Sequence, residues 1–160
     1  MAKIESFNLD GKQQTGINLS KAVGIGGPNL RDDVMVVQAL FNYIAAGTRP
    51  GAIGSKDGKD IPGITGAIDA DTYKMIISFQ LRNAKFLLSK EVSGRIDPAI
   101  FKGQHVLSAG KQIYSAMTLL NVMAHDASVS SGSGGNYVSA LSSMANRNRG
   151  AAGLLAAMAR

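Results

Sequence analysis

The clearest hydrophobic periodicity in the chain begins shortly after residue 30. Apolar side chains recur there every three or four residues, at Val34, Val37, Leu40, Phe41 and Ile44. This spacing places the side chains on one face of a helix. We therefore predict an amphipathic helix over this stretch, with Asn29 or Asp32 as its cap.

A second helix is predicted after Asp69, which is a suitable N-cap residue. One face of this helix carries Tyr73, Ile76, Ile77, Gln80 and Ala84, and Met75 and Phe79 widen it. The dipeptide Asp97-Pro98 predicts a short third helix that ends near Phe101, because proline is favoured at the first helical position.

Beyond Gly110, apolar spacing predicts a fourth helix of about four turns. Its apolar positions are Ile113, Ala116, Met117, Leu120, Met123, Ala124 and Ala127. The chain after residue 135 offers one or two smaller amphipathic helices, marked by Tyr137, Leu141 and Met144 and then by Leu154, Leu155 and Met158.

The stretches between these helices lack helical periodicity. Residues 1–20 alternate weakly around Asp10-Gly11, which predicts an extended arm or a short hairpin. Glycines and Pro28 predict a tight loop over residues 23–29. Residues 45–65 are rich in glycine and charge and predict a long exposed loop, and the serine and glycine residues at 128–135 predict a flexible linker.

Together these elements predict a mainly α fold. We expect an N-terminal arm at residues 1–21, a compact helical domain at 22–109 and a helical C-terminal extension at 110–160. At 45% apolar and 18% charged residues, the composition is that of a globular chain with a packed core.

The charge balance narrows the partners only slightly. Lys and Arg outnumber Asp and Glu by 17 to 11, which gives a formal net charge of +6. A positive balance favours anionic partners such as nucleic acid, acidic lipid or an anionic wall polymer. The basic residues are scattered from Lys3 to Arg160, which is typical of a solvated surface. Because the basic residues form no cluster in the sequence, we expect no nucleic-acid partner.

The compartment is not set by cysteine chemistry, because the chain has no cysteine. Residues 1–20 contain Lys3, Glu5, Asp10 and Lys12 and never gather the apolar core of a signal peptide. No segment approaches the length of a membrane span. We expect synthesis in the cytoplasm without a signal peptide, and delivery to the periplasm or cell wall by a route that needs none.

Residues for common catalytic sites are sparse. Glycosidic hydrolysis normally requires two carboxyl groups, one with its pKa raised by burial. The two glutamates, Glu5 and Glu91, lie in polar sequence surroundings that are typical of an exposed surface. His105 and His125 are the only histidines, which is too few for a usual zinc site. We predict a chain that is not an enzyme and has no metal and no cofactor.

Three motifs occur in order and carry more information than any one of them alone. The first is Val23-Gly24-x-Gly26-Gly27-x-Asn29, followed by Asp33-Val34-x-x-Val37-Gln38-x-Leu40-Phe41-Asn42. The second is Gly63-Ile64-x-Gly66, followed by Thr72, Ile76 and Phe79-Gln80. The third is Gly94-x-Ile96-Asp97. Over residues 22–103 this order resembles the peptidoglycan-binding domain family, a compact three-helix domain found beside cell-wall hydrolases.

The resemblance implies a three-helix peptidoglycan-binding-like domain with its ligand in a shallow groove beside the Gly63-Ile64-Thr65-Gly66 turn. The ligand-binding residues that it implies are Asn42, Tyr43, Asp60, Thr65, Asp69, Phe79 and Gln80. An aromatic ring such as that of Tyr43 could stack on a sugar. Gln38 and Gln80 also suit a structural role, because their amides can hydrogen-bond the backbone of the turns.

The expected function is non-catalytic binding of bacterial peptidoglycan, through its glycan strand or peptide stem. We expect an accessory or cargo protein of a phage or of a contractile injection or secretion system. The alternative is a structural adaptor that uses the same fold to bind protein, with its C-terminal helices as the docking element. A third hypothesis gives the cationic stretch Asn146–Arg160 a role at membranes or nucleic acid.

Overall fold

The structure, a computed structural model, describes residues 2–9, 11–100, 106–108, 111–132 and 136–141. In chain order its strands and α-helices are β1 (Lys3–Leu9), β2 (Lys12–Asn18), β3 (Val23–Gly24), α1 (Arg31–Gly47), α2 (Ala70–Arg82), β4 (Arg95–Ile96), β5 (Val106–Ser108), β6 (Lys111–Ile113) and α3 (Ala116–Ser130). Short 3-10 helices cover Pro50–Ile53, Ala84–Phe86 and Ser89–Glu91. Residues 137–141 are also helical.

Helix α1 lies at the centre of the fold. Every residue from Asp33 to Phe41 is buried, which is a wider buried surface than the single stripe that the periodicity predicted. Packing on several sides explains the difference, since α1 contacts α3, the 3-10 helix at Pro50–Ile53 and β3. The predicted core residues Val34, Val37, Phe41, Ile76, Phe79 and Ile96 are all fully buried, and the Phe41 and Phe79 ring centroids lie 5.7 Å apart.

Neither predicted cap of α1, Asn29 or Asp32, occupies the N-cap position. Leu30 occupies the N-cap position and makes no side-chain cap hydrogen bond. Asn29 has a φ of 52° and closes the preceding loop, because its Oδ1 accepts from Gly24 N at 2.7 Å. Asp33 ties the start of α1 to the end of the hairpin by accepting from Ser20 N at 2.9 Å and Lys21 N at 3.0 Å.

The N-terminal stretch forms a β-hairpin that is part of the core. β1 and β2 pair in antiparallel register from Lys3 with Asn18 to Leu9 with Lys12. Phe7 and Leu9 are buried on one face of the hairpin, as a strand period of two requires, whereas Ile17, which is opposite Ile4 in the register, is buried on the other face. The hairpin alternative of the sequence prediction is therefore confirmed.

The prediction of a mainly α, three-helix fold is wrong, because the chain is mixed α/β. Within the described residues the strands form three two-stranded antiparallel sheets, β1–β2, β3–β4 and β5–β6. The β3–β4 pair joins Val23 to Ile96 across the molecule, and β1–β2 supplies core side chains. Strands of two or three residues are too short for a period-two pattern to reveal them.

The short third helix predicted at Asp97-Pro98 is not formed over residues 97–100, and Phe101 lies outside the described residues. Asp97 pairs with Arg95 at 3.0 Å instead of capping a helix. The backbone of Ala99 pairs with the Asn18 side chain, which accepts from Ala99 N at 2.9 Å and donates to Ala99 O at 2.6 Å. The residue before a proline also favours extended backbone. These contacts hold the segment extended.

Two predicted irregular stretches contain regular structure. Between residues 45 and 65, α1 continues to Gly47, a 3-10 helix follows, and Ile53, Ser55 and Ile64 are buried. In the predicted linker, α3 extends to Ser130 and residues 133–135 lie outside the described part. The predicted fourth helix is confirmed as α3 from Ala116 onward, with Ser115 as its N-cap, whereas Ile113, its first predicted apolar position, lies in β6.

One hydrophobic core joins the three segments of the predicted domain division. It contains Phe7 and Ile17 from the N-terminal arm, α1 and α2 residues, and Leu120 and Tyr137 from the C-terminal extension. His105 and the cationic stretch Asn146–Arg160 lie outside the described residues, as do Met144, Leu154, Leu155 and Met158. Across the described part of the chain, every helix is too short or too polar to cross a bilayer.

Candidate ligand-binding site

The Gly63–Ala67 turn is held from inside by the buried side chain of Gln38. Its Oε1 accepts from Thr65 N and Gly66 N, both at 2.9 Å, and its Nε2 donates to Ala67 O at 3.0 Å. Because Gln38 is fully buried on α1, its position is fixed by core packing. The turn is therefore rigidly attached to the central helix.

The Gly66 position requires a residue without a side chain. Its φ is +76°, a conformation that L side chains rarely adopt. A Cβ added at Gly66 would also lie 2.6 Å from Arg31 Cγ and 2.9 Å from Met35 Cγ. The glycine of the motif therefore lets the turn approach α1 closely.

Asp69 links the same turn to the start of α2. Its Oδ1 accepts from Thr72 N at 2.8 Å and from Thr72 Oγ1 at 2.6 Å, which makes it the predicted N-cap. The Thr72 hydroxyl also accepts from Gln38 Nε2 at 3.0 Å. The hydroxyl bond lowers the pKa of Asp69. The exposed Asp69 is therefore a carboxylate at neutral pH, and its Oδ2 faces no partner in this network.

Asn42 lies one helical turn beyond Gln38 on α1 and anchors the chain just before the turn. Its Nδ2 donates to Pro62 O at 2.7 Å and to Gln38 O at 2.8 Å. Since both N–H groups are used, Oδ1 is the group that Asn42 can offer to a ligand. The half-buried Asn42, the exposed Thr65 and the exposed Asp69 are therefore connected to one hydrogen-bond network centred on Gln38.

A second turn, Ser93–Arg95, is held in the same way by Gln80 of α2. Gln80 Oε1 accepts from Gly94 N at 2.8 Å and from Ser93 N at 3.2 Å, and Nε2 donates to Arg95 O at 2.8 Å. The structural role predicted for Gln38 and Gln80 is thus confirmed. Each glutamine side chain supplies hydrogen bonds to backbone groups of a turn.

The remaining predicted site residues do not join the first turn. Phe79 and Gln80 are fully buried, so neither side chain faces a ligand. The half-buried Tyr43 ring lies 6.5 Å from the Tyr137 ring, and its hydroxyl is buried without a partner among the described residues. Asp60 hydrogen-bonds Ser55 within the loop before the turn. Three of the predicted residues, Asn42, Thr65 and Asp69, are therefore brought together.

A cavity of about 390 Å³, lined in part by Ala99 and Ser115, was not predicted from the sequence. Its charged lining residues are Lys90, Glu91, Arg95 and Asp97. Glu91 is 7% exposed, so the prediction of a solvated surface residue is wrong. Burial raises the pKa of Glu91, against the opposing effect of a hydrogen bond from the Ala116 backbone. Glu91 thereby connects the Ser89–Glu91 turn to the start of α3.

The described residues include no group of three or more His, Cys, Asp or Glu side chains that could hold a metal ion. His125 lies on α3 with its Nδ1 3.7 Å from Asp126 Oδ1. Comparison of the chain with protein-family models, with curated proteins and with solved structures finds no match.

Proposed function

We propose that the chain is a non-catalytic module that binds bacterial peptidoglycan at the surface bordered by Asn42, Thr65 and Asp69. The observation that supports this most directly is the attachment of the Gly63–Ala67 turn to Gln38. A turn fixed to the core presents its outer side chains without loss of loop entropy on binding.

The chemistry of this surface suits a sugar or a peptide stem. It offers a carboxylate oxygen from Asp69 and an amide oxygen from Asn42, together with the exposed Thr65 hydroxyl, which also accepts from Ala67 N at 3.2 Å within the turn. Sugar hydroxyls and peptide N–H groups are donors that match such acceptors. The Thr65 and Gly66 amides are already bonded to Gln38 and the Ala67 amide to the Thr65 hydroxyl, so we assign ligand contact to side chains.

The ordered motifs also have a common physical explanation. Gln38 and Gln80 follow apolar helix positions, and each binds the backbone of a glycine turn. This arrangement accounts for glutamine and glycine in the pattern that resembles peptidoglycan-binding domains. On that resemblance we propose an accessory or cargo protein of a phage or of a contractile injection or secretion system.

Retention on purified peptidoglycan sacculi tests the proposal. The double variant Thr65→Val/Asp69→Asn removes a hydroxyl and a charge, while asparagine still caps α2. We expect the retained fraction to fall by about fivefold or more, since each lost ligand hydrogen bond costs roughly 1 kcal/mol. The matched control is Asp57→Asn, an exposed acid in the preceding loop, which is expected to leave retention unchanged.

Salt separates specific binding from adhesion by charge. The net charge of +6 attracts the chain to an anionic wall polymer, but such attraction is screened as ionic strength rises. Specific retention is expected to persist at about 0.3 M salt, where the Debye length is only about 6 Å. Loss of all retention, or equal retention of the double variant, contradicts the proposal and favours the adaptor alternative.

A further inference from the structure

The outer edge of strand β1 is open among the described residues. β1 and β2 form a two-stranded sheet, so within the described part of the chain β1 has a neighbouring strand on one side only. The opposite edge of the hairpin is covered, because the Asn121 side chain of α3 binds the backbone of Ile17 in β2. An unpaired strand edge is a template for pairing with another strand.

The contact with Asn121 also shows which backbone groups of β1 point outward. Ile17 N and O both bind Asn121, so they point away from β1, and Ile4 is the residue opposite Ile17. In an antiparallel ladder such a pair exchanges no hydrogen bonds, and the N–H and C=O groups of both residues face outward. The same holds two residues further along, at Ser6. Ile4 and Ser6 are exposed, and neither has a backbone hydrogen bond to the described residues outside the hairpin.

The charges along this edge are complementary to themselves. Lys3 and Glu5 flank Ile4 and share one face of β1, because side chains two residues apart point the same way. If β1 pairs antiparallel with β1 of a second copy, with Ile4 opposite Ile4, each Lys3 lies opposite Glu5 of the other chain. Opposite charges directly across a strand pair are favourable, and like charges are unfavourable. Centring the pair on Lys3 or on Glu5 places like charges opposite each other, and centring it on Ser6 gives neither charge a partner.

Ile4 adds an apolar contact at the centre of this register. Its side chain is 44% exposed, and β-branched side chains pack well across paired strands. Lysine on an edge strand ordinarily discourages pairing, but in this register Glu5 of the second copy offsets the charge of Lys3. The hydrogen bond that Glu5 accepts from Asn18 Nδ2 at 2.9 Å uses Oε2, so Oε1 can face the lysine.

We propose that β1 pairs antiparallel with β1 of a second copy of this chain, centred on Ile4, so that two hairpins form one four-stranded sheet. The self-complementary pattern of Lys3 and Glu5 favours a second copy over a strand of another protein. The net charge of +6 on each copy opposes association, but salt at about 0.15 M screens charges that are more than about 8 Å apart. The paired strands are short, so the dimer is weak. The inference does not depend on peptidoglycan binding, because β1 lies outside the surface proposed for it.

Cysteine crosslinking tests the register, because the chain has no cysteine of its own. In a pair centred on Ile4, the two Ile4 Cα atoms lie about 5.5 Å apart, a distance that a disulfide can bridge. The two Ser6 Cα atoms are then at least about 13 Å apart, which is too far. Under mild oxidation we expect Ile4→Cys to form a disulfide-linked dimer at least about tenfold faster than Ser6→Cys, its exposed neighbour on the same face.

Charge reversal tests the ion pairs. Lys3→Glu and Glu5→Lys each place like charges opposite each other in their own dimers, and each is expected to weaken association about tenfold at low salt. An equimolar mixture of the two variants restores opposite charges across the strand pair, so we expect the mixed dimer to recover the affinity of the unaltered chain. Sedimentation velocity from about 10 µM to about 1 mM measures association.

The matched control for Lys3→Glu is Lys12→Glu. Lys12 is exposed on β2, so its reversal changes the net charge equally but leaves the β1 edge unaltered. It is expected not to weaken association, because it lowers the overall repulsion between two positive chains. Circular dichroism verifies that each variant is folded.

Four results would overturn the proposal. They are a chain that stays monomeric up to about 1 mM, equal crosslinking rates for Ile4→Cys and Ser6→Cys, and a dimer that Lys3→Glu does not weaken. The fourth is a mixture of Lys3→Glu and Glu5→Lys that associates no more strongly than either variant alone. A dimer that forms without these signatures would place the contact between copies on another surface.

Discussion

Asn121 of α3 pairs with the backbone of Ile17 in β2 as a neighbouring strand would. Its Oδ1 accepts from Ile17 N at 2.9 Å, and its Nδ2 donates to Ile17 O at 2.9 Å. Nδ2 also donates to Met117 O at 2.9 Å, and the Tyr137 hydroxyl hydrogen-bonds Oδ1. Asn121 and Ile17 are both buried. One side chain therefore connects the hairpin, α3 and the chain beyond it.

Replacing Asn121 by alanine is expected to destabilise the fold by about 2–5 kcal/mol. The substitution leaves the Ile17 N–H and C=O groups and the Tyr137 hydroxyl buried without partners, and each such group costs about 1–3 kcal/mol. Urea unfolding measures the loss. The matched control is Ser130→Ala at an exposed position of α3, which is expected to change stability by about 0.5 kcal/mol or less.

Amide hydrogen exchange shows whether the loss of stability in Asn121→Ala begins at the hairpin. In Asn121→Ala the Ile17 amide is expected to lose protection before the amides of α1, because its hydrogen-bond acceptor is gone. Uniform loss of protection throughout the chain, or unchanged stability, would contradict the role assigned to Asn121.

The two buried glutamines give a second prediction. Gln38→Leu and Gln80→Leu each leave two turn N–H groups without acceptors, and each is expected to cost about 1–4 kcal/mol of unfolding free energy. Because the two networks involve separate turns, the double variant is expected to be additive to within about 0.5 kcal/mol.

Gln13→Leu, on the exposed hairpin, is the matched control for the glutamine series. Urea unfolding of the four variants provides the measurements. A large coupling energy between Gln38 and Gln80, or an effect of Gln13→Leu as large as theirs, would show that the turns are not independently held.

We predict that Asp69 makes a contribution to folding stability that is lost in acid. Its hydrogen bond from the Thr72 hydroxyl lowers its pKa below the ordinary value of 3.8. A carboxyl whose pKa is lower in the folded state contributes stability above its unfolded-state pKa and loses it as pH falls through the folded-state pKa. The stability difference between the unaltered chain and Asp69→Asn is therefore expected to shrink as pH falls below 3.8.

Thr72→Val tests the cause of the Asp69 effect. Without the hydroxyl donor, an NMR titration is expected to show the Asp69 pKa moving upward, towards its ordinary value. An unchanged titration in Thr72→Val would assign the lowered pKa to another group.

For Glu91 we predict that the contribution to folding stability has the opposite dependence on pH. Burial raises its pKa above the ordinary value of 4.5, so the folded state holds the proton more tightly than the unfolded state. This contribution to stability is fully present below 4.5 and is lost as pH rises through the higher folded-state pKa.

Glu91→Gln removes that titration and keeps an oxygen that can accept from Ala116 N. Its stability relative to the unaltered chain is therefore expected to increase as pH rises from about 4 to 7. Chemical unfolding at each pH measures the difference. A difference that falls or stays constant over this range would contradict the raised pKa.

Local pattern was sufficient where local contacts decide the structure. Asp69 caps α2 through Thr72, three residues away, and the spacing of Val37 and Phe41 placed both in the core. Gln38 and Gln80 were recognisable as turn-binding residues because each follows such a stripe and a glycine turn follows each in sequence. The Asp69 cap and the core stripe depend on residues that are close in the chain or share a helix face, whereas Gln38 and Gln80 bind turns 28 and 14 residues away and were recognisable only from the order of the motifs.

Distant contacts decided the features that the sequence did not predict. Asp97-Pro98 has a good helix-start pattern, but Asn18 binds the backbone of Ala99 from 81 residues away. Glu91 has polar neighbours, Ser89 and Lys90, but it is buried against the start of α3. Tyr43 lies near the Tyr137 ring, at a distance in sequence that no helical period can reveal.

The contact between Ile17 and Asn121 spans 104 residues of chain, so it also constrains the order of events during synthesis. The hairpin leaves the ribosome early, but the Asn121 side-chain amide that binds β2 is translated only with α3. Until then the β2 backbone is an open edge, able to pair with strands of neighbouring nascent chains. Closing so long a loop is slow compared with local hairpin or helix formation. Translation speed and chaperone access over that interval therefore bear on the yield of soluble protein.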